Sequence, residues 1–432
     1  MMLEELRSRF DGAVWAPDDE GFDAAAHGHS GPSRPDAVLR PATTADVALA
    51  TVYARETGVP LVPRSGGHSV WYVEPGALLL DLAAFDRVTV DGDLVSVGGG
   101  ATWGAVARAL APHGLAISSG DTATVGVGGN TLGGGIGWMV RDWGLAVDQL
   151  VGAEVVTGAG NVVEAADEPD LLWALRGGGG NVGVVTRFDF RAHRIPGVVF
   201  GQIALTGDLA ESLRAWRDIM RSAPRQLSVT FMHVPGGDPS APAGRSLGVC
   251  WAGADTADAR AAIAPLLAIP GAEAGPLEQQ QYAQILLDMP PADPGDAVVL
   301  DGNGFVASLD DAAIDDIVAA HESTEPAMLM VRYLGGAFSD VAPDDTAVAF
   351  RDAEAFVVRA TFLAPGADPT PVREAWAAFD ANALGMYGNF TNSTDASVAG
   401  RMYPPATADR LRAAKRRFDP DNVLRRNHNV VP

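Results

Sequence analysis

Glycine is distributed unevenly along this chain, and the distribution restricts the fold more than any other feature. The 432 residues include 50 glycines, and in the first half they gather at 65–68, 98–104, 126–137 and 177–183. A residue without a Cβ lets backbone approach backbone or a ligand closely. The first half is therefore built for main-chain contact with something. Beyond about residue 195 the clusters thin out and longer apolar segments follow at 227–233, 246–251, 304–308, 328–334 and 354–362. Their β-branched and aromatic content predicts an antiparallel sheet, with helices over 209–220 and 257–267 packed against it. The fold class is α+β, with a second domain beginning near Ile195.

Local signals place the elements between the glycine clusters. Residues 44–57 read as a helix with Asp46 in its first turn, stopped by Gly58 and Pro60, and lead into a short strand at 59–62. Residues 77–82 read as a buried strand, 87–90 and 94–97 as a hairpin about Asp91 and Gly92, and 103–110 as a helix closed by Gly114. The tail from about Ala406 forms a helix followed by an extended polar stretch over 423–432.

Composition removes several kinds of chemistry. A net charge of −23 repels nucleic acid and anionic membranes, and the small basic run Lys415, Arg416, Arg417 reads as a solvated helix face. Cys250 is the only cysteine, so an intrachain disulfide, a four-cysteine zinc site and an iron–sulfur cluster are excluded. Lys415 is the only lysine and has no phosphate-loop sequence around it. The N-terminal residues have neither the positive charge nor the apolar run of a signal peptide, and no segment is long enough to span a membrane, so a cytoplasmic protein is expected.

Three motif matches fail on context. Gly178, Gly180 and Gly183 have GxGxxG spacing, but the strand-like run 184–190 follows where a dinucleotide site needs a helix. Gly244, Ser246 and Gly248 have GxSxG spacing, but a strand-like run follows the serine where a nucleophile elbow needs a helix. His27 and His29 lie two apart in a polar loop with no third ligand at a suitable spacing, so no metal site is expected.

The segment Arg64-Ser65-Gly66-Gly67-His68-Ser69 follows a strand directly. Its small residues allow backbone N–H groups to wrap a phosphate, and its arginine can add charge. With the runs VGGGATWG at 97–104, TVGVGGNTLGGGIG at 124–137, LLWALRGGGGNVG at 171–183, YGNF at 387–390 and FDPDN at 418–422, the chain resembles a known family over nearly its whole length. It is similar to flavoproteins with the vanillyl-alcohol-oxidase or p-cresol-methylhydroxylase type of FAD-binding domain, specifically the berberine-bridge-enzyme-like oxidases.

The resemblance implies an FAD-binding domain from residues 1–195 and 396–432, with a substrate-binding domain over 196–395 inserted between them. It implies FAD bonded covalently through His68, within a loop whose Arg64, Ser65, Gly66, Gly67 and Ser69 contact the cofactor. Many relatives carry a second link through a cysteine where this chain has Thr122, which places it with the singly linked, 6-hydroxy-D-nicotine oxidase-like branch. Val125 matches the position where valine accompanies reaction with oxygen. Asp121, Gly126, Gly128, Gly129, Thr131, Gly133 and Gly135 are expected along the cofactor, with Val184, Asn389 and Asn427. Tyr387 is the first candidate for a catalytic base, provided that neighbouring charge or hydrogen bonds favour its phenolate, and Glu354 is the second.

The implied reaction is oxidation of an alcohol, hydroxylated ring or secondary amine of a small organic molecule or natural product, with oxygen reduced to hydrogen peroxide. A dehydrogenase using another acceptor, and a flavin-retaining protein without a redox role, are the alternatives. A monomer or homodimer is expected, with no nucleic-acid or membrane partner.

Overall fold

A computed structural model describes residues 3–69, 73–236, 244–289, 298–324, 326–393, 395 and 397–432. The chain adopts the expected α+β architecture around three main sheets. The first contains β1 (Ala13–Trp15), β2 (Ala37–Arg40), β3 (Leu61–Arg64) and β4 (Leu78–Asp81) in the order β1-β2-β4-β3. Both β2 and β3 run parallel to β4. The short helix α1 (Phe22–Ala26) precedes β2, and α2 (Thr44–Thr57) makes the crossover from β2 to β3. Sequence and structure agree on α2 because both its ends are encoded locally. Thr43 and Asp46 form a reciprocal capping box at its start, and Gly58 ends it at φ 72°. Val47, Ala50 and Ala54 then pack on Leu39, Leu61, Leu78 and Leu80.

The second sheet contains β5 (Val88–Asp91), β6 (Leu94–Gly98), β7 (Leu150–Thr157), β8 (Val162–Glu164) and β9 (Gly183–Arg191), in the order β5-β6-β9-β7-β8. Its β5–β6 hairpin turns through Gly92 and Asp93, one residue on from the Asp91–Gly92 turn expected, because Asp91 still pairs with Leu94; Gly92 takes φ 63°. Helix α3 (Trp103–Leu110) and the glycine-rich helix α4 (Val127–Gly133) follow β6, and Trp103, Val106, Leu110 and Val127 join the core beside Val97, Phe188 and Phe190. A strand, β9, does follow Gly178, Gly180 and Gly183, so that spacing forms no dinucleotide turn.

The third sheet is antiparallel throughout. Its strands β10 (Val198–Leu205), β11 (Leu227–Val234), β12 (Gly244–Ala252), β13 (Ala272–Gln280), β14 (Val298–Val306), β15 (Ala327–Tyr333) and β16 (Ala355–Leu363) lie in the order β13-β10-β12-β11-β15-β16-β14. One face packs on α5 (Leu209–Ser222), α6 (Ala257–Leu267) and α7 (Asp311–Glu322), with Trp216, Ile263 and Ile314 against Phe231, Leu247 and Val357. Period-two alternation then turns Met330, Phe305 and Phe356 to the other face, where they meet Ile136, Val140 and Leu145 beside the central glycine cluster. Strand β13 escaped the sequence reading because AEAGPLEQQ is polar and contains Pro276. It lies at the sheet's edge, where both features are tolerated.

The C-terminal helix α8 (Pro405–Phe418) corrects one expectation. Arg416 and Arg417 are exposed, but Lys415 is fully buried and does not belong to a solvated face. Its ammonium donates to Asp419 Oδ2 at 2.6 Å and to the Asn181 and Leu424 carbonyl oxygens, each at 2.9 Å. Complete hydrogen bonding is what allows a charge to be buried. Among the described residues no helix is long and apolar enough to cross a membrane.

Candidate active site

The loop after β3 and the start of α4 meet backbone to backbone. A Cβ on Gly66 would lie 2.3 Å from the Gly126 nitrogen, and one on Gly126 would lie 2.1 Å from the Gly66 nitrogen, so neither site admits a side chain without separating the two segments. Ser65 crosses the junction, with Oγ donating to the Gly99 carbonyl at 2.7 Å and accepting from Gly128 N–H at 3.3 Å. A Cβ on Gly129 would meet nothing within 4 Å, so the first turn of α4 has one clear side. Loop and helix start together form a rim lined by glycines, in which the Val127 and Gly128 amides bond the Ala101 carbonyl and Ser65 Oγ.

His68 projects from this rim and Ser69, next in the loop, is exposed. The His68 Nε2 lies 2.9 Å from Thr124 Oγ1, and the His29 ring stacks on the His68 ring with centroids 3.6 Å apart. Burial, with His29 alongside, lowers the His68 pKa to about 4, so the imidazole is neutral at neutral pH. Arg64, expected to add charge toward a phosphate, is directed elsewhere. Its guanidinium donates to the Ala25, Ala26 and His27 carbonyls at the end of α1 and pairs with Asp81 at 3.1 Å. It anchors the loop from behind.

The third sheet reaches the same region through several residues. Arg332 on β15 forms a bidentate ion pair with Asp121, and its guanidinium lies 5.2 Å from the centre of the Trp138 ring. Thr122 bridges to Leu287, and its Oγ1 contacts Met289 Sδ at 3.8 Å. The Val125 carbonyl accepts from Trp103 N–H, and its side chain packs on the core. Asp121 thus joins the glycine-rich half to the sheet, and Thr122 joins it to the segment that follows β13.

Tyr387 is buried among Phe305, Phe356 and Val348, and its Oη accepts from Gly135 N–H at 2.7 Å and from Asn389 Nδ2 at 2.9 Å. Asn389 also donates to the Asn130 carbonyl at 3.0 Å and sits directly against Gly133. These contacts bring Tyr387, Asn389, Gly133 and Gly135 together. Residues 388–390 form a 3₁₀ turn, in which the Asn303 side chain pins the Tyr387 amide and the Tyr387 and Phe390 carbonyls. Burial raises the Tyr387 pKa, against the opposing pull of the Gly135 and Ile136 amides, Asn389 and Arg332. Tyr387 is therefore a neutral phenol at rest.

Glu354 does not join this group. Its carboxylate accepts from Arg221 at 2.6 and 3.0 Å, from Leu309 N–H at 2.6 Å and from Tyr333 Oη at 3.2 Å, toward the helices on the far face of the sheet. The Val184 side chain is buried in the core with Val156 and Leu80, so only its backbone can face a ligand. Thr131 is fully buried with no partner for its Oγ1. Asn427 donates to the Gly180 carbonyl at 3.1 Å, and its Oδ1 is likewise buried without a partner.

Sequence reasoning passed over Arg332, Asn303, Thr124 as a contact of His68, and His29. Arg332 and Asn303 stand on strands distant in sequence from the glycine clusters. His29 was visible only as one of two loop histidines, and its stacking depends on Ser30, which bonds the Gly67 and His68 carbonyls at 3.1 and 2.8 Å.

The family profile of the FAD binding domain matches residues 35–166, the segment that carries the rim, His68 and the central glycine cluster. (R)-6-hydroxynicotine oxidase of Paenarthrobacter nicotinovorans is 29% identical over 98% of this chain and 97% of its own length. Among solved structures, 6-hydroxy-D-nicotine oxidase from Arthrobacter nicotinovorans superposes with a TM-score of 0.83 at 28% identity, covering 98% of both chains. Glucooligosaccharide oxidase from Acremonium strictum, whose structure is described as holding a 6-S-cysteinyl, 8α-N1-histidyl FAD, superposes with a TM-score of 0.84 at 25% identity, covering 99% of this chain and 97% of that one. With a matching domain around the rim and full-length similarity in sequence and structure, this chain carries an FAD binding domain and is similar over its whole length to FAD-linked oxidoreductases.

Proposed function

We propose that this protein carries one FAD bonded through His68 alone and oxidises an alcohol, hydroxylated ring or secondary amine of a small organic molecule, with dioxygen as the final acceptor. One observation carries the reading: a neutral histidine ring, held in place at a glycine-lined rim, in a chain whose second attachment position is Thr122. A threonine hydroxyl cannot supply a thioether.

The residues fit the cofactor on two further counts. The open side of Gly129 leaves room beside the first turn of α4, where a helix start favours a pyrophosphate. Buried acceptors without protein partners, Asn427 Oδ1 and Asn429 Oδ1, match the N–H and hydroxyl donors of a flavin nucleotide. When bound, the flavin supplies the two-electron acceptor. Tyr387, a neutral phenol held by Gly135 and Asn389, orients the substrate's hydroxyl or amine through its own O–H. A resting phenolate base, the role first anticipated for Tyr387, is disfavoured by burial. Glu354, engaged by Arg221, takes no part.

The test is the absorbance of the purified protein, then of its acid-denatured, washed precipitate. Yellow colour retained by the precipitate and lost in His68→Ala establishes the single link, and colour released to the supernatant overturns it. Peroxide formed in step with substrate oxidation supports the oxidase reading. Reduction of a dye without peroxide would assign a dehydrogenase, and flavin that no candidate substrate reduces would favour a non-redox role.

A further inference from the structure

His68 is held by two residues to which the reading above gives no role. Thr124 lies against Nε2, and the His29 imidazole covers the ring at 3.6 Å with an interplanar angle of 16°. Behind them Ser30 clamps the loop by its bonds to the Gly67 and His68 carbonyls, with Gly67 in the left-handed region at φ 70°. We propose that Thr124 and His29 are positioning residues for attachment of the flavin, Thr124 by fixing the tautomer of His68 and His29 by fixing its ring plane. This rests on the reading that His68 is the point of attachment.

A neutral imidazole has one N–H and one lone pair, and the partner of the N–H decides which nitrogen keeps the pair. The Thr124 hydroxyl, 2.9 Å from Nε2, accepts the ring N–H in the proposed arrangement. With Nε2–H given to Thr124, the lone pair resides on Nδ1. Two rings 3.6 Å apart cannot readily both be charged, which keeps His68 nucleophilic at neutral pH.

The attachment step balances as follows. One C–H bond of the flavin's 8α-methyl group breaks and its proton leaves. Nδ1 forms the new N–C bond, and the Nε2 proton leaves on the Thr124 side. The two electrons left behind, with two protons, reduce the ring system to its dihydro form. Dioxygen then takes the two electrons and two protons as hydrogen peroxide and restores the oxidised flavin.

The experiment follows covalent incorporation of flavin and requires no substrate. Full-length wild-type protein and variants, as produced, are incubated with excess FAD in air and sampled into acid, and the flavin fluorescence of the denatured band is read against time. Thr124→Val and Thr124→Ala are expected to slow attachment at least about tenfold, as loss of a tautomer-holding partner does elsewhere, and Thr124→Ser to restore it. His29→Ala is expected to slow it and His29→Phe, which keeps a flat ring in place, to recover most of the rate. Melting temperature and total bound FAD are measured alongside, because a purely structural role would lower these without changing the ratio of covalent to bound flavin. If wild-type protein never acquires acid-stable flavin, the attachment reading itself falls. If wild-type acquires it, His68→Ala does not, and the Thr124 and His29 variants label at the wild-type rate, this proposal alone is overturned.

Discussion

The ammonium of Lys415 lies 2.6 Å from Asp419 Oδ2, and both side chains are fully buried. The pair is also a junction. Asp419 accepts from the Val423 and Leu424 amides, while Lys415 holds the Asn181 and Leu424 carbonyls. The segment fastened there continues to Asn427, so the chain's single lysine ties the C-terminal stretch to the glycine-rich loop ahead of β9.

Removing one partner of a buried ion pair leaves the other charge uncompensated. Lys415→Met is therefore expected to destabilise the protein by about 3–5 kcal/mol, seen as a large drop in melting temperature. A loss within about 0.5 kcal/mol, as surface changes give, would contradict the burial found here.

The contact between Gly66 and Gly126 leads to a second prediction. Gly66→Ala or Gly126→Ala has to push the loop off α4, because the added carbon would lie within 2.3 Å of opposing backbone. FAD content per mole of purified protein should fall sharply in either variant, while Gly129→Ala, with open space at its Cβ, leaves the rim closed.

Tyr387→Phe leaves Gly135 N–H and the Asn389 amide without their shared acceptor. A stability loss of about 1–3 kcal/mol is expected from the unpaired donors. If the phenol orients the substrate, kcat falls by about 10²-fold, the scale of a small misplacement at the reacting group, in rapid-mixing measurements of flavin reduction.

Glu354→Gln separates a structural from a catalytic carboxylate. With Arg221 and Leu309 as its partners, the substitution should cost about 1–2 kcal/mol in chemical denaturation and leave kcat within about threefold. A thousandfold fall in kcat at unchanged stability would return Glu354 to the active site.

The buried His321, whose Nε2 lies 2.7 Å from His233 Nδ1, sets a pH dependence. Burial, reinforced by His233, lowers its pKa from 6.5 to about 4. The unfolded chain takes up a proton as pH falls through 6.5 and the folded chain resists until about 4, so this group's contribution to stability is present above 6.5 and is lost between those values. The total is up to about 3 kcal/mol. Urea midpoints at pH 7.5, 5.5 and 4.5 should fall more steeply for the wild-type protein than for His321→Leu.

What the sequence determined by itself was whatever is written within a few residues. The ends of α2 are encoded by Thr43, Asp46 and Gly58, and the β5–β6 hairpin by Gly92 in its turn. The rim was legible because its short-range requirement for missing side chains leaves a mark at Gly66 and Gly126, and RSGGHS pointed to His68 by resemblance. Only the tertiary structure decided how charged and polar side chains are shared out. A pattern of residue types records that Arg64, Glu354 and Lys415 are polar. Arg64 and Glu354 have partners, Asp81 and Arg221, that lie 17 or more positions away, and Lys415, although Asp419 is four residues on, is buried only because the Asn181 carbonyl is brought against it. The same reason hid His29 against His68 and Arg332 against Asp121: each contact joins segments whose proximity exists only once the sheets have closed on each other.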